Sequence, residues 1–484
     1  MGLAAAAGVA VLGVAAVGVG VVPQPGSLRP GANEFVNDRG QTGAHNSPSV
    51  AVAPGRPSVI ALAHRLDAPD LGCALSLSTN AGATWTAVDL PPGLAAAECF
   101  WPRVAYLPDG TLLVLYTALG GPNVLPLSVW LQRFDGPRAV DAPVRVAGDL
   151  AFHARMAVQG GRLWVTWVQA NPATADQQLG LAPGANPVVV ARSDDGGRTF
   201  GAPVRVSEPD RRVIQPTVLA GPGSRVVVGA LDLGDDVLDY EGTHDGLTPP
   251  DPRLRWRVVA WTSGDGGATF GPTAVVAADL PVPQLIIADL GPTPGFAADP
   301  ATGRLYATWD AGRDNARDCF VAWSDDGGRR WSAPVRVGPT HGSQLLPAVA
   351  VGPGGRVDVV FYDRSRDPKD TLQELVAASS SDGGRTFHWA TVSDAPSDSR
   401  IGLGAQLGVP VQGDNLAVLS RGGDLLAFWS DTGRGSLTTN VADLAVADVQ
   451  TDAGGGRRWA YVAVGLALLF TAGALGVLAR RAAE

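Results

Sequence analysis

The octet Ser193-Asp194-Asp195-Gly196-Gly197-Arg198-Thr199-Phe200 decides the fold, because the chain repeats its pattern. The shared pattern is Ser-x-Asp-x-Gly-x-Thr followed by Phe or Trp. Further copies begin at Ser263, Ser324 and Ser380, and a weaker copy begins at Ser78. Asn80 replaces the aspartate in the weaker copy, and Arg330 replaces the threonine in the copy that begins at Ser324.

The residue types of this octet are typical of a tight hairpin. Serine and aspartate side chains bind turn N–H groups that have no ladder partner. Glycine adopts positive φ without steric cost, and the final aromatic residue re-enters a strand and packs between sheets. The residues expected to be structural in the four full copies are Ser193, Asp195, Gly197, Ser263, Asp265, Gly267, Ser324, Asp326, Gly328, Ser380, Asp382 and Gly384.

This octet is the pattern known as the Asp box, and through it the chain resembles the sialidase-like β-propeller superfamily. In that superfamily the box is structural and lies on the face opposite the active site. The resemblance therefore implies the fold rather than the chemistry.

The spacing of the boxes indicates how many repeats there are. The interval between the boxes at Ser78 and Ser193 is wide enough for two repeats, so the repeat at residues 98–150 has lost its box. Short alternating strands around glycine turns mark seven repeats. We predict an all-β propeller over residues 33–450, with seven four-stranded blades, in which residues 33–42 close the ring. Six blades is the alternative.

Composition narrows the class of function. Only 17% of the 484 residues are charged, and the net charge is −9, which disfavours nucleic acid as a partner. No metal-ligand spacing occurs, and we expect no metal and no cofactor. Of the three cysteines, Cys73 and Cys99 lie close enough in the predicted repeats to form a disulfide. Three buried thiols is the alternative.

Both ends of the chain are apolar. We predict that residues 1–25 are a signal peptide or an N-terminal anchor and that residues 451–458 are a linker. Residues 459–478 are long enough to cross a bilayer as a helix of about 30 Å, and residues 479–484 would form a cytoplasmic tail. The expected location is the cell membrane, with the propeller on the extracytoplasmic side.

Loops that join second to third strands lie opposite the boxes and are the place to look for a site. Aromatic, aspartate and arginine residues recur there in three adjacent blades, and His64-Arg65-Leu66-Asp67 is a looser version of the pattern. The ligand-binding candidates are Arg313, Arg364, Arg434, Asp310, Asp363, Asp431 and Tyr362. One hypothesis is that the arginines converge on one rim and bind a carboxylate. The alternative is that each aspartate pairs with its own arginine and holds the loop in place.

A second loop in the blade over 212–280 is rich in acids. It contains Asp232, Asp235, Asp236, Asp239, Tyr240, Glu241, His244 and Asp245. Calcium binding is one interpretation, but the spacing does not match an EF-hand. A solvated acidic loop is the other.

The resemblance to sialidases fails at the active site. Family enzymes carry Arg-Ile-Pro on an early first strand, whereas this chain has Asn46-Ser47-Pro48. A tyrosine–glutamate nucleophile pair is not evident, since Tyr362 and Glu241 are candidates only by residue type. We predict a surface module that binds an acidic glycan or a protein, with a degenerate catalytic site. An exo-sialidase and a structural cell-envelope platform are the alternatives.

Overall fold

The computed structural model describes residues 27–40, 42–67, 70–91, 94, 98–120, 125–148, 150–170, 186–236, 251–282, 293–313, 316–402 and 413–451, with the backbone alone at 125–127 and 313. The predicted segment 1–25 and residues 452–484, with the predicted span and tail, lie outside the described residues. Within the ranges just given, no helix is both long and apolar enough to cross a membrane.

Two short strands, β1 (Leu28–Pro30) and β2 (Glu34–Phe35), precede seven sheets, which we number as blades 1 to 7. Blade 1 contains β3 (His45–Ala53), β4 (Arg56–Leu66), β5 (Gly72–Ser78) and β6 (Thr86–Ala87). Blade 2 contains β7 (Glu98–Tyr106), β8 (Leu112–Gly120), β9 (Leu125–Asp135) and β10 (Arg138–Ala147). Blade 3 contains β11 (Ala151–Gln159), β12 (Arg162–Gln169), β13 (Val188–Ser193) and β14 (Val204–Arg205). Blade 4 contains β15 (Val213–Gly221), β16 (Arg225–Asp232), β17 (Arg255–Ser263) and β18 (Ala274–Pro281). Blade 5 contains β19 (Gly295–Ala298), β20 (Leu305–Arg313), β21 (Ala316–Ser324) and β22 (Val335–Val337). Blade 6 contains β23 (Gln344–Val351), β24 (Val357–Asp363), β25 (Leu372–Ser380), β26 (His388–Thr391) and the short β27 (Ser397–Asp398). Blade 7 contains β28 (Ala417–Ser420), β29 (Asp424–Asp431) and β30 (Asp443–Thr451).

Every blade is antiparallel, and the prediction of a seven-bladed all-β propeller is confirmed. The alternative of six blades is wrong. The repeat without a box is a complete blade, in which Gln132 Nε2 donates to the carbonyl oxygen of Val140 at 3.1 Å and Arg133 pairs with Asp141 at 2.9 Å. These side chains hold β9 against β10 where an Asp box is missing.

The ring closes in blade 7, whose outermost strand comes from the other end of the chain. β1 pairs with β30, with Leu28 opposite Thr451, and β2 pairs with the same strand through Glu34. The closing segment therefore begins at residue 28, before the predicted start at residue 33. Cys73 and Cys99 form a disulfide between blades 1 and 2, with Cα atoms 5.4 Å apart, and Cys319 is a buried free thiol.

The core lies between blades, because one sheet cannot bury both of its faces alone. One buried cluster joins Trp256 of blade 4 to Trp309 of blade 5, and another joins Trp164 of blade 3 to Trp261 of blade 4. The first strand of each blade lies innermost and lines the axis of the ring. Axial residues therefore come from β3, β7, β11, β15, β19, β23 and β28.

Candidate functional site

The Asp boxes define one face of the ring, which we call the box face. In the box that begins at Ser193, the serine hydroxyl donates to Asp195 Oδ1 at 2.7 Å and accepts from the N–H of Gly197 at 2.8 Å. Thr199 donates to Asp195 twice, through its N–H at 2.9 Å and its hydroxyl at 2.6 Å. The aspartate thus organises the turn and is not available for chemistry.

The weaker box keeps this geometry with one bond reversed. Asn80 Nδ2 donates to Thr84 Oγ1 at 2.8 Å, whereas an aspartate would accept from that hydroxyl. The backbone N–H of Thr84 still donates to Asn80 Oδ1 at 2.9 Å.

The opposite side of the ring, the loop face, carries the predicted rim residues of blade 6. Arg364 is 5% exposed, and its Nε and Nη2 atoms donate to Gln373 Oε1 at 3.1 and 3.0 Å. Its Nη1 lies 3.7 Å from Asp370. Asp363 accepts instead from Gln344 at 3.0 Å and from Ser365. Since Gln373 belongs to β25, the third strand, Arg364 reaches outward from the axis.

Arg434 in blade 7 behaves in the same way. It pairs with Asp443 of β30 at 2.6 Å, and Asp431 accepts from the N–H of Gly433 at 2.7 Å. Burial raises the pKa of Asp431. The expected convergence of the rim arginines is therefore wrong for Arg364 and Arg434, because each is bound to the third strand of its own blade.

The remaining rim candidates are also committed to the scaffold or lie outside the described side chains. Asp310 forms an ion pair with Arg317, and burial raises the pKa of its carboxyl group. Tyr362 is 1% exposed, its hydroxyl donates to the carbonyl oxygen of Ser430 at 3.0 Å, and burial raises its pKa. The side chain of Arg313 lies outside the described residues.

Part of the acidic loop of blade 4 is described. Asp232 pairs with Arg257, and Asp236 Oδ2 accepts from Trp256 Nε1 at 2.8 Å. Asp239, Tyr240, Glu241, His244 and Asp245 lie outside the described residues. Among the residues that the structure describes, no group of three or more His, Cys, Asp or Glu side chains is arranged to hold a metal ion.

A further cluster lies on the axis at the loop face. The N–H of Asp414 donates to Ser47 Oγ of blade 1 at 2.9 Å, and its carbonyl oxygen lies 3.5 Å from Thr293 Oγ1, just before blade 5. The neighbouring Asn415 accepts from Arg103 of blade 2 at 2.8 Å. Blade 5 lies across the ring from the neighbouring blades 1 and 2, so Asp414 and Asn415, which contact all three, lie at the axis.

Arg65 is fully buried beside Asp414. It forms ion pairs with Asp414 and with Asp67, the latter at 2.6 Å, and its guanidinium group lies 4.0 Å from the centre of the Phe100 ring. Asn46, at the position of the family arginine, stands opposite Arg65 in the β3–β4 ladder and donates to Asp67 at 2.6 Å. The guanidinium group that is absent from β3 is thus present on β4.

Arg103 is buried, and it forms no ion pair with any of the described residues. It is 8% exposed, and its described bonds go to neutral acceptors: the carbonyl oxygen of Pro102 at 3.3 Å and the side chain of Asn415. Its Nε has no partner among the described residues. Burial, followed by repulsion from Arg155, lowers the pKa of Arg103 well below its ordinary value, and attraction to Asp414 opposes this shift only in part.

We call Arg65, Asp67, Arg103, Arg155 and Asp414 the axis cluster. Three cations face two carboxylates, and both carboxylates are engaged by Arg65. Among these five described residues, positive charges outnumber negative ones by one.

Comparison with known proteins identifies a relative of this architecture. A sialidase of Micromonospora viridifaciens is 31% identical over 232 residues, which cover 44% of this chain and 32% of the relative. The chain is similar to this sialidase over that stretch, and its seven-bladed fold and Asp boxes resemble those of the sialidase-like β-propellers. It spans about a third of the length of that sialidase, and no family model matches.

Solved structures of similar architecture are more distant from this sialidase-like propeller. A protein of unknown function from Dyadobacter fermentans is 16% identical, with 88% of this chain and 99% of that chain covered at a TM-score of 0.48. A Hadza microbial sialidase is 13% identical, with 81% and 73% covered at a TM-score of 0.45. The resemblance to sialidase-like propellers is carried by the sequence relative and by the Asp boxes rather than by these structures.

Proposed function

We propose that this sialidase-like propeller is an exported, membrane-tethered module that binds an acidic glycan at the loop-face end of its axis without hydrolysing it. The single observation that carries this proposal is the buried guanidinium group of Arg103, which has no carboxylate partner among the described residues. The proposal places the acidic ligand at the axis cluster and not at the outer rim of loops.

The energetic argument starts from the cost of burying a charge. A buried cation without a partner loses hydration that nothing in the protein replaces, and such sites persist where they serve a function. A carboxylate of a ligand would form charge-assisted bonds with the guanidinium group of Arg103 and would compensate its charge. The neutral bonds of Arg103 to Pro102 and Asn415 fix its orientation beforehand.

Within the described part of the chain, the carboxylates at the axis do not favour hydrolysis. A retaining glycosidase needs an acid and a nucleophile about 5–5.5 Å apart on either side of the scissile bond. At the axis, Asp67 and Asp414 both engage Arg65, and Tyr362 is buried with its hydroxyl bound to Ser430. Sialidase activity is the second candidate function, and the relative from Micromonospora viridifaciens is the observation that favours it.

Binding to a panel of sialosides, hexuronosides and matched neutral glycosides tests the proposal. We expect the full-length chain to bind a carboxylated sugar and to release no free sugar from it. Arg103→Gln should weaken binding at least tenfold, as expected for loss of a charge-assisted pair. Arg385→Gln, which removes an exposed charge on the box face, is the matched control. Turnover of a sialoside that Arg103→Gln abolishes would favour the hydrolase instead.

The membrane tether rests on the sequence of both ends. We expect the full-length chain to stay in the membrane fraction after a high-salt wash. Removing residues 457–484 should release it, provided that the N-terminal segment is cleaved. Protection of the propeller from protease added to spheroplasts would contradict export.

A further inference from the structure

Five of the seven inner strands contain the same irregularity near the loop face. The ladder register shifts within β3, β7, β11, β15 and β23 at equivalent positions. At each shift one residue has positive φ, and none of these is glycine. They are Ser47 (52°), Trp101 (49°), His153 (52°), Gln215 (54°) and Leu346 (53°). Four of the five precede a proline.

This repetition is a feature of the fold and not a local accident. Positive φ is unfavourable for residues with a side chain, and a following proline restricts the backbone further. Bulges re-aim side chains and are frequent next to active sites, and strained backbone is concentrated at functional sites. Because inner strands line the axis, the bulge residues form one tier around it.

The members of this tier differ in whether their polar atoms are used. Ser47 donates to Asn46 at 2.8 Å and accepts from the N–H of Asp414, and Leu346 is apolar. Gln215, in contrast, is 3% exposed, and neither its amide oxygen nor its amide nitrogen has a hydrogen-bond partner among the described residues.

Trp101 resembles Gln215 in this respect. It is 5% exposed, and its indole Nε1 has no partner in the described part of the chain. Its ring is fixed by aromatic neighbours, with ring centres 4.7 Å from Phe100 and 4.5 Å from His153. The bulge residues of the consecutive blades 2, 3 and 4 are thus Trp101, His153 and Gln215. They lie side by side around the axis, on the side that also contains Arg103.

A buried amide with two unused atoms requires an explanation, since nearly all such groups are bonded in native proteins. A primary amide offers a donor and an acceptor side by side. Two neighbouring hydroxyl groups of a sugar ring match this pair, because each hydroxyl both donates and accepts. The indole N–H can donate to a further hydroxyl or ring oxygen.

We propose that Gln215 and Trp101 form the neutral half of the axial site and bind the vicinal hydroxyl groups of the sugar acid whose carboxylate Arg103 holds. This inference rests on the proposed function. It defines the ligand class as a carboxylated sugar with a vicinal diol, and it makes Gln215 the residue that determines specificity.

Methyl β-D-glucuronide and its 3-deoxy analogue test this inference, since both keep the carboxylate and only the first has a vicinal pair of free ring hydroxyls. We expect the full-length chain to prefer the first by about tenfold in Kd, as is typical for one good hydrogen-bonded pair. Gln215→Met should reduce this ratio to about one. It should leave the Tm of the unliganded protein unchanged or higher, since it removes two unsatisfied buried atoms.

A second pair of variants tests Trp101 independently. Trp101→Phe removes the N–H and keeps a ring, and it should weaken binding of the glucuronide severalfold. Trp85→Phe makes the same change on the box face, where the indole Nε1 also has no partner among the described residues, and should leave affinity unchanged.

The outcomes separate the two proposals. If the chain binds both glycosides equally, or if Gln215→Met keeps the tenfold ratio, the axial diol site is refuted while carboxylate binding by Arg103 stands. A fall in Tm for Gln215→Met with no change in affinity would show that the amide serves internal water or the scaffold. A chain that binds neither glucuronides nor sialosides would overturn both proposals.

Discussion

At the scale of single residues, Arg65 and Arg103 show how charge is distributed around the axis. Both guanidinium groups are buried, but Arg65 pairs with two carboxylates whereas Arg103 bonds only to neutral acceptors within the described chain. Removing one partner of a buried ion pair leaves an uncompensated charge, whereas removing an unpaired charge does not. The two arginines should therefore respond to mutation in opposite ways.

We expect Arg65→Met to lower the free energy of unfolding by about 3–5 kcal/mol, because Asp67 and Asp414 would remain buried without their cation. Arg103→Met should leave the stability unchanged or raise it. Urea unfolding of both variants at pH 7 measures the difference. Equal losses at the two positions would mean that Arg103 has an internal counter-charge, and the basis for an axial anion site would disappear.

The pair His45 and His64 gives the propeller a pH dependence. The two rings bond through Nδ1 of His45 and Nε2 of His64 at 2.9 Å. Burial lowers the pKa of His45 from 6.5 to about 4, and it lowers the pKa of His64 as well. Asp443 and Arg434 oppose each other as smaller influences on His45.

The sign follows from proton binding in the two states. Between pH 6.5 and 4 the unfolded chain binds protons that the folded chain excludes, so stability falls as the pH falls. His45 alone contributes about 3 kcal/mol to this loss. His45→Asn should flatten the dependence, as measured by urea unfolding at pH 7 and pH 4.5. An unchanged difference between the two pH values would show that these imidazoles are not the groups that titrate.

At the scale of elements, each Asp box is a small hydrogen-bonded unit that sets the hairpin between the third and fourth strands. The natural box with Asn80 shows which part of the aspartate is needed. Its Oδ1 accepts from Ser78 at 2.9 Å and from the N–H of Thr84 at 2.9 Å. The second carboxylate oxygen can therefore be replaced by an amide nitrogen.

We expect Asp195→Asn to change the Tm little, whereas Asp195→Ala should lower it by a few degrees, because the N–H groups of Arg198 and Thr199 would lose their acceptor. Thermal unfolding of both variants gives the comparison. Equal Tm losses would mean that the charge, and not the acceptor geometry, stabilises the turn.

Blade seams depend on close packing at small residues. A Cβ atom on Gly229 of blade 4 would lie 2.2 Å from the ring of Phe296 in blade 5. Gly229→Ala should cost about 1–3 kcal/mol through overpacking. Adding Phe296→Leu should recover part of the loss, so the double variant would be more stable than the sum of the two changes predicts. Additive losses in urea unfolding would place the strain elsewhere.

The sequence predicted the elements better than the site, for physical reasons. The boxes fix local turns, and their repetition requires blades, so seven sheets followed from short-range patterns. The axis cluster combines β4, β7, β11 and the residues before β28, and only the ring brings these together. The local signals were the looser loop motif His64-Arg65-Leu66-Asp67 and the Asn46-Ser47-Pro48 stretch, whose pattern of a residue before proline recurs at Trp101 and Gln215. The sequence predicted wrongly that Arg364 and Arg434 point toward the axis. A residue that recurs at one loop position can extend away from the axis as readily as toward it.

At the scale of the whole molecule, the first and last strands of the propeller bring its N- and C-terminal ends side by side. Leu28 of β1 lies opposite Thr451 of β30. β30 begins near the loop face, where Asp443 is opposite Asp431, and ends at the other side, where Gln450 is opposite Asp424. Both predicted membrane segments therefore attach at the box face of blade 7.

This topology predicts how the protein stands on a membrane. Thr451 is only a short linker away from the predicted span at residues 459–478, so the box face should lie against the bilayer and the axis cluster should face the medium.

Single cysteines labelled with a fluorophore at position 437 on the loop face and position 385 on the box face test this in liposomes that contain quencher lipids. Leu437 is 59% exposed and suits the first label. We expect strong quenching at position 385 and weak quenching at position 437, because quenching falls steeply with distance from the lipid. The native cysteines should not interfere, since Cys73 and Cys99 are bonded and Cys319 is buried. Strong quenching at position 437 and weak quenching at position 385 would mean that the axial site faces the membrane. The site could then reach a lipid-linked sugar rather than a glycan in the medium.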